Sequence, residues 1–311
     1  MTTLITVPKT DLKVHPLCLG GNVFGWSADE AQSFELLDAY FEAGGNFIDT
    51  ADVYSEWKPG NTGGDSEVII GNWMKSRGNR SKVIIATKVA KFSQRPGLAP
   101  ANIRSAASDS LRRLQTDYID LYYAHEDDEK VPQLDTMQSF NELLTDGKVR
   151  YIGASNFTGA RLKSANEIAT ENNFAKYSVI QNNYNLLARS DYEEDMVPTL
   201  TELEISCLPF FGLARGFLSG KYREGVVVDS VRAGGVVDFQ NERGWKTVAA
   251  LEQIAIDHQT SIASISLAWL RSQATVCAPI ASARTVEQLR EIMEVVELSP
   301  VEIARLSQIT A

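Results

Sequence analysis

The chain has few cysteines: three in 311 residues, Cys18, Cys207 and Cys277, odd in number, far apart and each set in apolar sequence. That excludes a disulfide framework and a CxxC metal ligand set, and they read instead as core residues of a reduced protein. No apolar stretch reaches membrane-spanning length, and the opening MTTLITVPKTDLKVHPLCLGG has no basic region followed by an unbroken apolar run, so neither a span nor an export signal is expected. Basic residues are in deficit, 30 against 40 acidic ones, for a net charge of −10. Such a surface repels phosphate backbones and anionic headgroups. No nucleic acid or membrane partner is expected, and the expected location is cytoplasmic. Histidine is scarce, at three residues, and the GxGxxG fingerprint is absent. A nucleotide-binding open sheet therefore gets no motif support. A metal-dependent barrel hydrolase, which needs several His or carboxylate ligands at strand ends, finds one well-placed histidine, and no metal is expected.

What the chain does have is apolar content, 44% of its residues, with no long linker, which fits one domain over 1–311. Thr3 to Val14 reads as two brief strands around a Pro-Lys-Thr-Asp turn, a hairpin placed to plug one end of a barrel. Strand-like runs then follow in PLCLGG, NFIDTA, KVIIATK, IDLYYAH, RYIGASN, YSVIQNN, ISCLPFF and TVCAPIA. Helical spacing lies between them at 29–43, 66–76, 100–114, 134–145, 159–171, 192–203, 245–257 and 285–296. Nearly continuous apolar strands suit a parallel sheet covered by helices. Eightfold βα alternation favours a closed (β/α)8 TIM barrel over a doubly wound sheet, the runner-up. Thr285 with Gln288 and Ser299 with Glu302 form capping boxes. The stretches 222–244 and 55–64 are expected to be rim loops, the first of them mobile.

Asp49, Tyr54, Lys88 and His125 each stand just past the end of an apolar run, so the strands deliver them to the rim where barrel active sites lie. A tyrosine is a proton donor of ordinary pKa about 10, and lowering it by about 3 units takes roughly 4 kcal/mol. An ammonium about 4 Å away, at an effective dielectric near 20, supplies roughly that. Lys88 is the expected ammonium, Asp49 the carboxylate that keeps it charged, and His125 the residue that orients a carbonyl oxygen. A structural ion pair is the bland reading of Asp49 and Lys88, and a rim aromatic that of Tyr54; the set of four outweighs both. His15 and His258 read as surface or supporting residues. Phe24, Trp26 and Trp57 follow strand ends and are expected to wall a substrate pocket.

DTADVY with Gly64-Asp65-Ser66-Glu67 and Gly71, then ATK, IDLYYAH, GKVRYIGASNF and LARGFLSGKY, resemble the aldo-keto reductases from the hairpin to about Leu298. The resemblance implies a (β/α)8 barrel that binds NADPH and reduces aldehydes or ketones by hydride transfer, with Asp49, Tyr54, Lys88 and His125 as tetrad and Tyr54 as general acid. It further implies cofactor contacts from Asn22 and Asp49, from Ser155, Asn156 and Gln181 at the nicotinamide carboxamide, and from Phe210 stacked on the ring. Leu213, Arg215, Ser219 and Lys221 would pass over the pyrophosphate, and Ser282, Arg284 and Gln288 would grip the adenosine end, with Arg284 on a 2′-phosphate. The family frequently has asparagine where this chain has Ile292, which removes one polar adenine contact. Members of the channel β-subunit type keep the tetrad, so a cofactor-sensing regulatory subunit is the alternative to an enzyme.

Overall fold

The computed structural model describes residues 3–226, 228 and 233–310. Strands β1 (Ile5–Thr6) and β2 (Lys13–Val14) pair antiparallel as the expected hairpin. Then come β3 (Cys18–Gly20), β4 (Phe47–Asp49), β5 (Ile84–Val89), β6 (Ile119–Ala124), β7 (Val149–Ser155), β8 (Tyr177–Gln181), β9 (Ser206–Cys207) and β10 (Ile280–Ala281). These eight form one parallel sheet in the order β10-β3-β4-β5-β6-β7-β8-β9. Its two ends meet. Cys207 bridges Val276 in parallel, and Cys207 N and Cys277 N exchange bonds with Thr275 and Cys207 carbonyls at 2.7 and 2.9 Å. The sheet is therefore a (β/α)8 barrel, and all eight strand-like runs of the sequence contribute to it.

The hairpin closes the end opposite the strand C-termini. Val7, Leu12 and Val14 pack with Cys18, Phe47, Ala86, Leu121 and Val179 in the barrel interior. Arg150 holds the hairpin from outside, bonding Asp11 and Asp120 at 2.7 Å each. A second, larger core fills the layer between strands and helices, where strand residues such as Ile48 and Ile85 meet helical ones such as Trp73 and Phe140. Both strand faces are buried, which is why the runs carry no polar alternation.

The helices are α1 (Glu30–Glu42), α2 (Asp65–Arg77), α3 (Pro100–Leu114), α4 (Gln133–Thr145), α5 (Gly159–Glu171), α6 (Val197–Leu203), α7 (Glu242–His258), α8 (Ile262–Arg271), α9 (Val286–Met293) and α10 (Pro300–Ile309). Most starts carry a side-chain cap: Asp29, Thr158, Asn241, Ser261, Thr285 and Ser299 each accept from a backbone N–H one turn on. Ser299 and Glu302 form the expected capping box. The Thr285 box is incomplete: Gln288 Oε1 accepts from Arg284 N at 3.0 Å instead of Thr285 N.

Two expectations are corrected. Helix α8 adds to the helices expected from the sequence: nine of its ten residues, IASISLAWL, are buried, and a short apolar run of that kind reads equally as a buried strand. Helix α7 starts at Glu242 rather than Trp245, behind the Asn241 cap. Of the stretch expected to be a mobile rim loop, residues 227 and 229–232 lie outside the described residues. Beyond them, a 3-10 turn spans Ala233–Phe239 and Val236 is fully buried. Gly71 in α2 is required by packing, since a Cβ there would stand 2.3 Å from the Arg113 carbonyl of α3. That contact explains part of the GDSE…G signature as helix docking. Glu67 in the same segment is fully buried and accepts from Arg113 Nε at 2.6 Å and from Thr87 at 2.5 Å.

Candidate active site

Parallel register fixes the site. Asp49 pairs with Ala86, two residues before Lys88 on β5; Lys88 pairs with Tyr123, two before His125; and Ser155 pairs with Gln181. All these groups therefore emerge at one level, the C-terminal rim. Lys88 is only 1% exposed, and its ammonium spends all three donors: Asp49 Oδ2 at 2.6 Å, the Thr50 carbonyl at 2.7 Å and the Tyr54 hydroxyl at 2.9 Å. Burial pushes the Lys88 pKa down, and Asp49 opposes that shift. Three satisfied donors and a carboxylate at contact distance keep the ammonium charged.

The Tyr54 phenol departs from the sequence expectation. Burial, then the Asp49 carboxylate, hold it well above its ordinary value instead of lowering it. Burial supplies the rise, because the two charges nearly cancel: the hydroxyl lies 2.9 Å from the ammonium and 3.2 Å from Asp49 Oδ2. At an effective dielectric near 20 these contribute ~5.7 and ~5.2 kcal/mol with opposite sign, leaving about 0.5 kcal/mol. Counting the lysine without its carboxylate overstated the acidity. Tyr54 is thus a neutral phenol at physiological pH, held at a defined place by a charged lysine.

His125 is held neutral. Burial, then Lys88 and Lys91, push it well below its ordinary value. Its Nδ1 is buried without a partner while the residue lines the cavity, so Nε2 is the ring nitrogen that faces the open space. The Tyr54 and His125 rings meet edge to face with centroids 6.0 Å apart. Gln181 Nε2 donates to Asp49 Oδ1 at 2.7 Å, a brace on the carboxylate that the sequence did not announce.

A cavity of about 720 Å³ opens over this rim. Its lining includes Asn22, Asp49, Tyr54, Trp57, His125, Ser155, Asn156, Gln181, Phe210, Leu213, Arg215, Ser219, Lys221, Ser282, Arg284 and Gln288. Three sequence-selected residues stand elsewhere. Lys88 lies beneath the surface, bonded to Asp49 and Tyr54. Phe24 is fully buried in the main core, folded inward after the 3-10 turn Gly21–Val23, and does not wall the cavity. Trp26 stands behind Trp57, edge to face at 5.7 Å. His15, read as a surface or supporting residue, is fully buried, and His258 bonds Glu302 at 2.8 Å. Lys91, Val23 and Phe211 also line the cavity and were not singled out from the sequence. Lys91 sits three residues past Lys88, just beyond the strand end.

The residues present fit a nicotinamide dinucleotide. Arg215, Lys221 and Arg284 are cations on the β9–β10 side of the cavity, where an anionic diphosphate or 2′-phosphate would lie. Close approach of backbone is preserved at Gly20, where a Cβ would stand 2.6 Å from Ser282 Oγ, itself bonded to Asn22 Oδ1 at 2.6 Å. Asn156 takes φ of 56°, a left-handed turn fixed by Asn182 Oδ1 on its N–H and by its own Nδ2 on the His125 carbonyl. Ile292 lies buried at the cavity edge, as an apolar contact.

The model of the aldo/keto reductase family matches residues 16–311, past the Leu298 limit of the resemblance read in the sequence. The chain is 33% identical over 305 residues to norsolorinic acid reductase of Aspergillus flavus, covering 92% of this chain and 75% of that protein. It is 33% identical over 301 residues to the uncharacterized oxidoreductase YrpG of Bacillus subtilis, covering 94% and 90%. It is 29% identical over 312 residues to aryl-alcohol dehydrogenase GME11368 of Pestalotiopsis microspora, covering 94% and 78%. The chain belongs to the aldo/keto reductase family. It is an oxidoreductase of the NAD(P)H-dependent class. Among the described residues, no helix is long and apolar enough to cross a membrane.

Proposed function

We propose that this chain, acting as one barrel domain over 1–311 in the cytoplasm, reduces an aldehyde or ketone to the alcohol with NADPH as the cofactor. The observation that carries this reading is the Lys88 ammonium bonded at once to Asp49 and Tyr54 beneath the cavity floor. When bound, the dinucleotide supplies hydride to the carbonyl carbon. The chain's residues serve the oxygen. His125, neutral, offers its Nε2–H to the carbonyl oxygen and fixes its direction. Tyr54, holding its proton, gives it to that oxygen as negative charge develops there. A phenol of raised pKa can still do this, because an alkoxide is more basic than a phenolate. Lys88 stabilises the phenolate that results, and Asp49, braced by Gln181, keeps Lys88 charged.

Ser155, Asn156, Gln181 and Phe210 would set the face of the nicotinamide ring, and Asn22, Leu213, Arg215, Ser219, Lys221, Ser282, Arg284 and Gln288 would hold the rest of the cofactor. Arg284 supports NADPH over NADH, since a 2′-phosphate adds negative charge where it stands, while Arg215 and Lys221 suit the diphosphate that both dinucleotides carry. The name of the aryl-alcohol dehydrogenase relative, and Trp57 on the cavity wall, support aryl carbonyls as the substrate class. The test is stoichiometric. Purified protein should consume NADPH only when an aryl aldehyde is supplied, with one alcohol formed per NADPH oxidised; absence of consumption across aryl, sugar and short-chain aldehydes would remove the reading.

A further inference from the structure

The charged groups lining the cavity are unevenly placed. Arg215, Lys221 and Arg284 lie toward β9 and β10, where the proposed cofactor phosphates go. Asp49 is committed to Lys88, and Glu291 lies with Ile292 on α9, at the adenosine end. Among the described residues, that leaves Lys91 as the charged side chain lining the β4–β6 side, together with Tyr54, Trp57 and His125. It is too far around the barrel to serve the cofactor phosphates, and the reading above uses its charge only to help keep His125 neutral.

Local structure holds Lys91 there. Ala90 takes φ of 120° although it is not glycine, and its carbonyl accepts from Gly97 N at 2.8 Å, so the chain turns sharply at the end of β5. The loops after β4 and β5 are tied together: Ser93 donates both its N–H, at 3.3 Å, and its hydroxyl to Glu56, the residue before Trp57. Lys91 and Trp57 therefore stand on adjoining, braced loops. Trp57 is 48% exposed and is supported edge-on by Trp26 at 5.7 Å and Tyr54 at 6.1 Å. The carboxylate of Glu126 meets Lys91 at 3.5 Å, with the two side chains 45% and 35% exposed. A loose, solvated pair of that kind contributes little and leaves the ammonium with donors to spare.

We propose that Lys91 is a substrate-binding residue, and that the preferred substrate is an aryl carbonyl compound bearing a carboxylate: the ring lies against Trp57, the carbonyl at Tyr54 and His125, and the carboxylate at Lys91. This rests on the carbonyl-reductase reading and deepens it by naming the substrate's charge.

The test compares 4-carboxybenzaldehyde with its near-isostere 4-carbamoylbenzaldehyde, at saturating NADPH, on the wild type, Lys91→Met and Lys91→Arg. The wild type is expected to favour the acid by about 10-fold in kcat/KM, carried in KM, with the ratio falling near 1 in Lys91→Met and recovering in Lys91→Arg. The preference should also shrink with added salt. A wild-type ratio at or below 1, or one that survives Lys91→Met, overturns the proposal. Should neither aldehyde turn over, the reductase reading falls by itself. The subsite is then read from saturable quenching of tryptophan emission by 4-carboxybenzaldehyde: quenching that weakens in Lys91→Met upholds it, and quenching equal in both proteins removes it.

Discussion

Lys88 Nζ donates to the Tyr54 hydroxyl at 2.9 Å from a position with no solvent contact of consequence, its other two donors already fixed by Asp49 and the Thr50 carbonyl. The phenol oxygen is thus located by a side chain that cannot move without breaking a buried ion pair. Proton donation from Tyr54 is then a matter of position more than of acidity, because the carboxylate at 3.2 Å cancels most of the ammonium's pull.

Breaking that pair should cost stability as well as rate. Lys88→Met leaves Asp49 charged and buried, with an expected loss of about 3–5 kcal/mol in chemical denaturation. Lys88→Met combined with Asp49→Asn should lose less than the sum of the single changes, since neither charge is then stranded. Additive losses in the double variant would show that the two groups do not act as a pair.

Arg284 should report cofactor choice. Arg284→Ala is expected to raise KM for NADPH by about 10–100-fold, the scale of one or two hydrogen bonds to a charged group, and to leave KM for NADH nearly unmoved. Equal effects on both dinucleotides would assign Arg284 to the shared diphosphate or to structure instead.

The eight strands and most helices were legible because buried parallel strands read as apolar runs and amphipathic helices carry a period. Helix α8 was not, because a short apolar run without a charge before Arg271 cannot be told from a buried strand. The gathering of Asp49, Tyr54 and Lys88 was legible from their places at or after strand ends. Gln181 as a brace on Asp49 was not, since a bond between residues 132 apart depends on barrel closure rather than on anything local. Lys91 escaped for the opposite reason: a lysine after a strand end looks like any solvated charge until the cavity is seen. The Tyr54 phenol lies above rather than below its ordinary value because sequence names the charged partners of a group but not how deeply the fold buries it.

His15 sets a stability limit on the acid side. It is fully buried, accepts from Leu17 N at Nδ1, and is pushed down from 6.5 to about 4, chiefly by burial. The native state therefore binds this proton more weakly than the unfolded chain does, so the contribution is whole above pH 6.5 and is lost as pH falls toward 4. At about 1.36 kcal/mol per unit, that loss is about 3 kcal/mol. His15→Gln should flatten the decline of denaturation midpoint across this window, and an unaltered slope would contradict the assignment.

Asp52 acts with the opposite sign. Both its carboxyl oxygens are buried without partners, and its pKa is raised from 3.8 to about 8, by burial first and then by Glu67. The native state binds the proton more tightly, so this contribution is present at low pH and is lost as pH rises from 3.8 to about 8. Asp52→Asn should be more stable than the wild type by several kcal/mol near pH 8, with the gap closing toward pH 4. A gap that is constant with pH would mean that Asp52 ionises freely in the folded protein.

The central claim is that Tyr54 supplies the proton for carbonyl reduction while taking no part in holding the dinucleotide. Paired measurements on Tyr54→Phe, kcat for NADPH-driven reduction of an aryl aldehyde and the Kd for NADPH by fluorescence titration, address it directly. The expected result is a fall in kcat of about 10²–10⁴-fold with Kd changed by less than about 2-fold. A kcat close to that of the wild type, or a loss explained wholly by weaker NADPH binding, would contradict the account.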